Sequence, residues 1–321
     1  MFKGPPETLP QHIGFCLMPH FSMMAFASAV EPLRAANRLS GRQLYDWHIF
    51  AESAEPVRAS NGIPVLPERA WAEVERFPAV ILCAGTGSDA SQSDKLYAWL
   101  RRLARNGTHI GGISGGPILL ARAGLLQGRR CTLHWEHIPS FIEEFPEIEV
   151  TDDLFEIDGP IFTCAGGTAS MDMMLRLIRQ QHGHDLAAAV SDQFILDRIR
   201  EPTDRQRMAL RMRLGQSHPK LVAAIKLMED NLEGPLAPSA LARAVGLSSR
   251  QLERLFRKYL AMPPARYYLE LRLKRARALL RETTMSVLDV AVACGFASAS
   301  HFSKRYRDLF GRAPRSDRTA V

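Results

Sequence analysis

The feature that most constrains the fold is a change in hydrophobic periodicity near residue 217. Before it, short apolar runs such as AVILCAG (79–85) and HIGGIS (109–114) alternate with helical stretches, whereas helical spacing dominates after it. Alternating strands and helices indicate a mostly parallel sheet covered by helices on both faces. We therefore expect an α/β domain over residues 10–200, a linker over 201–217 and an all-α domain over 218–315.

The formal charge is distributed unevenly between these two regions. The 321-residue chain has a net charge of +7, yet residues 217–321 hold 19 Lys and Arg against 9 Asp and Glu. Concentrated positive charge is the electrostatic footprint of a nucleic-acid-binding module. A solvated basic surface would have the same composition, so charge alone leaves both interpretations open.

Two similar helix–glycine–helix patterns lie within the helical region. The first is LARAVGLSSRQLERLFRK (241–258), and VAVACGFASASHFSKRYRDLFG (290–311) repeats its arrangement 49 residues later, from Gly246 to Gly295. The stretch ARYYLELRLKRARALLRE (265–282) between them predicts a single basic helix. The pattern is typical of two helix-turn-helix units, and it resembles the AraC/XylS-type DNA-binding domain over residues 218–315.

The second helix of each unit carries polar residues that this resemblance places against DNA. The predicted contacts are Ser249, Arg250, Glu253, Arg254 and Lys258 in the first unit, and Ser300, Ser303, Lys304 and Arg305 in the second. Arg can bond guanine through two hydrogen bonds, and Glu can accept one from cytosine. Lys258 and Arg305 are expected to contact phosphates, which position a protein without specifying sequence. For any one of these residues, a solvated helix position is the alternative.

A glycine-flanked serine marks a second motif, in the α/β region. Ser114 lies in GGISGGP (111–117), where a β-branched run gives way to a helical one. Strand, sharp turn and helix form the setting of a nucleophile elbow. His134 follows twenty positions later, and Glu31 lies in the first helical stretch. Ser114 is therefore either the nucleophile of a hydrolase or amidase, or the polar floor of a binding pocket.

Residues 11–200 resemble the PfpI/class I glutamine amidotransferase-like fold, which is a flavodoxin-like α/β fold. The matching stretches are FSMMAFASAVEPLRAAN, GGISGGPILLARAGLLQGRRCTLHWEH and FTCAGGTASMDMMLRLI. With its helical domain, the chain resembles GlxA-like transcriptional regulators. Enzymes of this superfamily have cysteine at the elbow, and a serine hydroxyl is harder to activate than a thiol. The resemblance therefore implies a degenerate elbow of Ser114, His134 and Glu31 in a protein that is not an enzyme.

The glycine-rich strand ends predict a pocket for a small effector. Its predicted lining is Phe21, Glu31, Gly85, Thr86, Ser114, Gly115, His134, Trp135, Glu136 and Thr168. Backbone amides suit a carboxylate, and aromatic faces suit a methylated ammonium group. The resemblance to regulators of choline catabolism implies glycine betaine or dimethylglycine, with carnitine or arginine as alternatives. Core packing is the alternative role of Trp135 and the favoured role of Phe21.

The remaining expectations concern location and partners. No apolar run approaches the roughly 18 residues that span a membrane, and the amino terminus lacks a signal-peptide core, so we expect a cytoplasmic protein. The five scattered cysteines argue against a disulfide framework or a zinc site, and neither a metal nor a cofactor is predicted. The expected partners are promoter DNA, a small effector, RNA polymerase and a second copy of the chain. The expected function is activation of transcription.

Overall fold

The structure is a computed structural model that describes residues 4, 8–85, 94–206 and 218–318. The chain divides into two compact units, Met1–Gln206 and Arg207–Val321. Residues 201–206, which the sequence places at the start of the linker, therefore lie within the first unit.

The first unit is built on a seven-stranded sheet. The strands of this unit are β1 (Gln11–Leu17), β2 (Tyr45–Ala51), β3 (Val57–Arg58), β4 (Pro64–Val65), β5 (Arg69–Ala70), β6 (Ala79–Ala84), β7 (His109–Ser114), β8 (Arg130–Thr132), β9 (Glu149–Thr151), β10 (Phe155–Asp158) and β11 (Ile161–Cys164). The spatial order of the sheet is β10-β11-β7-β6-β1-β2-β5, and β10 is the one antiparallel strand in it. The carboxyl ends of its parallel strands therefore share one edge.

Helices cover both faces of this sheet. They are α1 (Met23–Ser40), α2 (Asp94–Arg105), α3 (Gly116–Arg122), α4 (Ile138–Glu144), α5 (Ala169–His182) and α6 (His184–Gln193). Helices α1, α5 and α6 pack on one face, and α2, α3 and α4 pack on the other. Such double coverage explains why strands like β6 are apolar at every position. The sheet that the alternating sequence predicts is therefore confirmed.

The second unit contains helices alone among its described residues. They are α7 (Pro219–Glu229), α8 (Pro238–Ala244), α9 (Ser249–Leu260), α10 (Pro264–Glu282), α11 (Val287–Ala293), α12 (Ala299–Phe310) and α13 (Pro314–Arg318). Helices α7, α8 and α9 enclose one apolar core, and α11 and α12 enclose another. Helix α10 contributes to both cores. None of the helices in the described ranges combines the length and hydropathy needed to cross a membrane.

The two halves of this unit follow the repeat in the sequence, with one difference. The turn glycines are 49 residues apart, whereas the serines that cap α9 and α12, Ser248 and Ser298, are 50 residues apart. Each serine accepts a hydrogen bond from a backbone amide in the first turn of its helix, which fixes where the helix begins. The second turn is therefore longer by one residue.

Two side chains of α10 bind one loop from each half. The Tyr268 hydroxyl accepts a hydrogen bond from the Leu236 amide at 3.3 Å, in the loop before α8. One helical turn later, Arg272 donates to the carbonyl oxygens of Cys294 and Gly295, at 2.7 and 2.6 Å. Because both anchors lie on a single rigid helix, the two halves are held in a defined relative orientation.

Gly295 lies where these two loops touch each other. Its φ is +72°, and a Cβ at this position would lie 2.5 Å from the Glu233 carbonyl oxygen. Gly246, at the equivalent turn of the first half, also has a positive φ, of +64°, but a Cβ there would meet only the end of Lys220, at 3.5 Å. Positive φ thus favours glycine at both turns, whereas contact between the halves excludes a side chain at Gly295 alone.

This pair of glycines provides a matched test of the contact. Gly295→Ala and Gly246→Ala both place an L-residue in the left-handed region, which costs about 1–2 kcal/mol. We expect Gly295→Ala to destabilise the helical unit by about 2 kcal/mol more, because its Cβ meets backbone that must move. All four tryptophans lie in the first unit. A urea transition seen by far-UV circular dichroism but not by tryptophan fluorescence therefore reports the helical unit. Equal midpoints for the two variants would contradict the contact.

Candidate ligand site and nucleic-acid interface

Ser114 is the last residue of β7 and has the backbone geometry of an elbow. Its φ is +60°, which is uncommon for a non-glycine residue and costs conformational energy. Helix α3 begins two residues later, at Gly116. The residue is 7% exposed, and its hydroxyl forms no hydrogen bond with any residue that the structure describes, His134 included. The hydroxyl is therefore not engaged by any described residue, at the carboxyl edge of the sheet.

Neighbouring strand ends close around this turn. The Gly115 amide donates to the Ala84 carbonyl oxygen at 3.2 Å, and the His134 amide donates to the Ser114 carbonyl oxygen at 3.3 Å. On another side, a Cβ on Gly166 would lie 2.7 Å from the Ser114 Cβ. The ends of β6, β7 and β11 and the segment before α4 thus meet at one point. The Gly115 amide is engaged within this turn.

The two residues that follow His134 carry an aromatic ring and a carboxylate. Trp135 is 37% exposed, and its ring centroid lies 5.6 Å from that of His134. The Glu136 carboxylate is 54% exposed and lies 3.6 Å from His134 Nδ1. Of the predicted pocket residues, Gly85, Ser114 and Gly115 lie at the strand ends, and the His134 backbone bonds Ser114 there, with Trp135 and Glu136 next to His134 in the chain. An exposed indole next to an acidic group suits a cationic ligand.

Other residues of the predicted pocket lie elsewhere or are engaged. Phe21 is fully buried and packs edge-on against Phe26, with ring centroids 5.7 Å apart. Glu31 forms an ion pair with Arg34 at 2.7 Å, and no contact joins its carboxylate to Ser114 or His134 within the described ranges. Thr86 lies outside the described residues.

Arg200 is a residue near this site that sequence reasoning missed. Its guanidinium donates to Asp172 Oδ2 at 3.0 and 2.7 Å and to Thr168 Oγ1 at 2.8 Å. The Asp172 side chain is 3% exposed, and Arg200 is the cation with which this buried carboxylate is paired. A signal was present in the sequence, because an acidic residue on the apolar face of α5 requires a cation. The pair fastens the chain that follows α6 to the helix that follows β11.

Gln206 is the second residue that the sequence does not reveal. Its Nε2 donates to Thr132 Oγ1, the Leu133 carbonyl oxygen and the Asp153 carbonyl oxygen, at 3.0, 3.0 and 2.9 Å. Its Oε1 accepts the Trp135 amide at 2.8 Å. The last described residue of the first unit is thus bonded on both sides of His134, at Leu133 and Trp135.

On the first predicted recognition helix, α9, the arginines differ in their engagement. Arg250 and Arg254 lie exposed one turn apart, and neither forms an ion pair with any described residue. Glu253 is bound by Arg257 at 3.0 Å, so its carboxylate would have to exchange partners to accept from cytosine. Lys258 is exposed beside Tyr259 at the far end of the helix. Arg250 and Arg254 are thus the arginines of α9 that have no ion-pair partner among the described residues.

The second recognition helix, α12, presents a less basic face. Ser300 is exposed in its first turn, as Ser249 is in α9, and Ser303 is half-buried. Lys304 is exposed and has no ion pair within the described ranges. Arg305 has a carboxylate at 4.0 Å on the next turn. Two exposed helices of the same kind, held by α10, match the geometry of a double helix-turn-helix.

Comparisons with known proteins agree with both parts of this description. The DJ-1/PfpI family matches residues 15–180, and a helix-turn-helix domain matches residues 241–320. The chain is 48% identical to the HTH-type transcriptional regulator GbdR of Pseudomonas aeruginosa, over 98% of this chain and 86% of that protein. It is 49% identical to the regulator CdhR of the same organism, over 98% and 93%. The chain belongs to this family of HTH-type transcriptional regulators.

A solved structure supports the fold of the first unit. The crystal structure of an AraC family transcriptional regulator from Pseudomonas putida matches with a TM-score of 0.53 and 27% identity, over 58% of this chain and 100% of that one. The predicted fold class, a flavodoxin-like DJ-1/PfpI domain followed by helix-turn-helix units, is therefore confirmed. So is the predicted function of a DNA-binding transcriptional regulator.

Membership of this family makes the exposed arginines of α9 testable as base contacts. We expect Arg254→Ala to weaken binding to the preferred DNA site by about 10- to 100-fold and to relax its selectivity, because a bidentate base contact contributes about 1–3 kcal/mol. Affinity is measured at fixed salt on the site that the wild-type chain selects from random DNA, and on a scrambled site. Arg102→Ala, an exposed arginine of α2, controls for net charge. If selectivity is retained in Arg254→Ala, Arg254 does not read bases.

Proposed function

We propose that this regulator senses a small zwitterion bearing a quaternary or tertiary ammonium group, with glycine betaine or dimethylglycine as the first candidates. The first unit would bind the effector, and the second would bind promoter DNA. The observation that carries the proposal is that the Ser114 hydroxyl has no hydrogen-bond partner among the described residues, while His134, whose amide bonds the Ser114 carbonyl oxygen, is followed by the exposed Trp135 and Glu136. The proposed setting is the cytoplasm, where promoter DNA lies, with a homodimer that recruits RNA polymerase to activate transcription.

The two ends of such a ligand have different requirements. A carboxylate needs hydrogen-bond donors, and Ser114 supplies one beside the glycine-lined strand ends. A methylated ammonium group cannot donate strong hydrogen bonds, so it is best held by an aromatic face and a nearby negative charge. Glu136 is preferred to Glu31 as the counter-charge, because Arg34 already neutralises Glu31. Phe21 is left out of the proposed site because it is fully buried.

A hydrolase is the competing function, since Ser114 keeps the elbow backbone. Two of the groups that such an enzyme needs are not in place. The Ser114 hydroxyl has no hydrogen bond to His134 or to any other described base, and the Gly115 amide, the usual oxyanion donor, is bonded to Ala84. The nearby thiol of Cys164 is no substitute, because burial raises its pKa to about 12 and the nucleophile would be a thiolate. These observations favour binding without turnover.

The effector site is tested with the full chain and glycine betaine. We expect glycine betaine or dimethylglycine to raise the melting temperature, because a ligand of the native state stabilises it. Trp135→Ala should weaken glycine betaine binding by about 10-fold and Trp135→Phe by less, because a cation–π contact contributes about 1–2 kcal/mol. Calorimetric titration measures both, and Met24→Ala, an exposed apolar residue of α1, is the control.

Three outcomes would count against this assignment. Unchanged affinity in Trp135→Ala would remove Trp135 from the site. The absence of stabilisation by glycine betaine, dimethylglycine, carnitine and arginine would contradict the effector class. Ser114→Ala separates binding from catalysis. If NMR detects a product of the effector with the wild type and none with Ser114→Ala, the hydrolase is supported. A retained transcriptional response without turnover would support the receptor.

The four hydrogen bonds of Gln206 suggest how the site could act on the linker. An effector that moves Trp135 would change the hydrogen bond from the Trp135 amide to Gln206 Oε1. Gln206 is the last residue of the first unit. We expect Gln206→Ala to reduce the ratio of transcription with and without effector by about 5-fold or more, since coupling free energies are typically about 1–3 kcal/mol. Reporter assays measure the ratio, with the exposed Gln127→Ala as control. An unchanged ratio would exclude this route.

A further inference from the structure

Two histidines and an aspartate meet at the edge of the sheet opposite to the effector site. His12 is the second residue of β1, and Asp46 is its register partner on β2. His48 lies two residues beyond Asp46, so its side chain is on the same face of the strand. Within the described residues, this is the one group of three histidine, cysteine or acidic side chains whose ligand atoms lie within 4.8 Å of one another.

The distances among the three ligand atoms are those of a metal site. His12 Nδ1 lies 3.2 Å from His48 Nε2, and Asp46 Oδ2 lies 3.3 Å from each of these nitrogens. Bonds of about 2.0–2.1 Å in a tetrahedral zinc site place neighbouring ligand atoms about 3.3 Å apart. The three atoms therefore already occupy one face of such a tetrahedron. A single ion can reach all of them without rearrangement of the strands.

A fourth side chain orients one of the ligands. His48 Nδ1 is 2.9 Å from Glu68 Oε2, and the Glu68 amide donates to the Ile49 carbonyl oxygen at 2.8 Å, which holds Glu68 beside β2. A hydrogen bond from Nδ1 to a carboxylate leaves the Nε2 lone pair directed at the cluster. Metal-bound histidines are commonly oriented by a carboxylate in this way.

The surroundings favour a borderline transition ion over a hard cation. Two imidazoles and one carboxylate suit Zn²⁺ and its neighbours in the first row, whereas Ca²⁺ and Mg²⁺ prefer oxygen ligands alone. Phe77 packs edge-on against both imidazoles, with ring centroids at 6.4 and 5.4 Å. The His12 side chain remains 43% exposed, so the site is open to solvent and to a water ligand.

We propose that His12, Asp46 and His48 bind one divalent transition ion of the Zn²⁺ class, with Glu68 as a positioning residue and water at the open position. The site is independent of the proposed effector site, which lies at the carboxyl ends of the strands. The ion would crosslink β1 to β2 and stabilise the first unit. The scattered cysteines argue only against a zinc site built from thiolates, and none of the three ligands proposed here is a thiol.

The test titrates the untagged, chelator-treated full chain with ZnCl₂ against a chromophoric zinc competitor. We expect one equivalent to bind. His48→Gln and His12→Gln should each weaken binding by at least 10-fold, and Glu68→Gln by about 10-fold, the usual effect of losing an orienting carboxylate. His184→Gln, an exposed histidine of α6, should bind like the wild type. Zn²⁺ should also raise the melting temperature of the wild type but not of His48→Gln.

X-ray absorption spectroscopy at the zinc edge, carried out on the zinc-loaded wild type, identifies the ligand atoms. This measurement does not depend on whether the variants fold. A shell of two imidazole nitrogens and light oxygen ligands supports the proposal, whereas a sulfur ligand overturns it. Failure of the wild type to bind one equivalent, or equal binding by His48→Gln and the wild type, also overturns it. In either case the cluster is only a hydrogen-bonded network between two strands.

Discussion

DNA recognition by this chain depends on the way one helix is shared between two apolar cores. Helix α10 contributes Tyr268 to the first core and Leu273 to the second, and Tyr268 and Arg272 bind the loops of the two halves. A recognition helix cannot turn relative to its partner unless α10 leaves one of the cores. The shared helix therefore holds the two helix-turn-helix halves at a defined spacing.

A related constraint explains how a DJ-1/PfpI domain can serve as a receptor. The strand ends around Ser114 approach so closely that Gly166 has no room for a side chain. This packing keeps the elbow backbone whether or not a nucleophile is present. The turn uses the Gly115 amide to close onto β6, so the elbow geometry itself engages a backbone donor that catalysis would need. A rigid scaffold of this kind suits the proposed role of holding an effector without consuming it.

The sequence predicts the local patterns of this molecule well and its distant contacts poorly. Each strand–helix pair, the elbow at Ser114 and each helix-turn-helix unit is encoded by a stretch of about 20 consecutive residues, so its pattern can be seen in the sequence. In contrast, the Gln206 amide bonds Thr132, 74 residues away, and His12 meets His48 across 36 residues. Hydrophobic periodicity carries no information about which distant residues will contact each other. The core packing of Phe21, which the sequence favours over a place in the pocket, agrees with its full burial.

The same distant contacts would connect the proposed effector site to the start of the linker. An effector can shift the regulator only through a difference in its affinity for two arrangements, so binding must change contacts that differ between them. Arg200 is held by a buried carboxylate, which makes it a fixed anchor. Gln206, six residues later, is held by neutral hydrogen bonds worth about 1 kcal/mol each. Contacts of that strength can be broken by a ligand at Trp135, so movement would be confined to the few residues between the anchor and the linker.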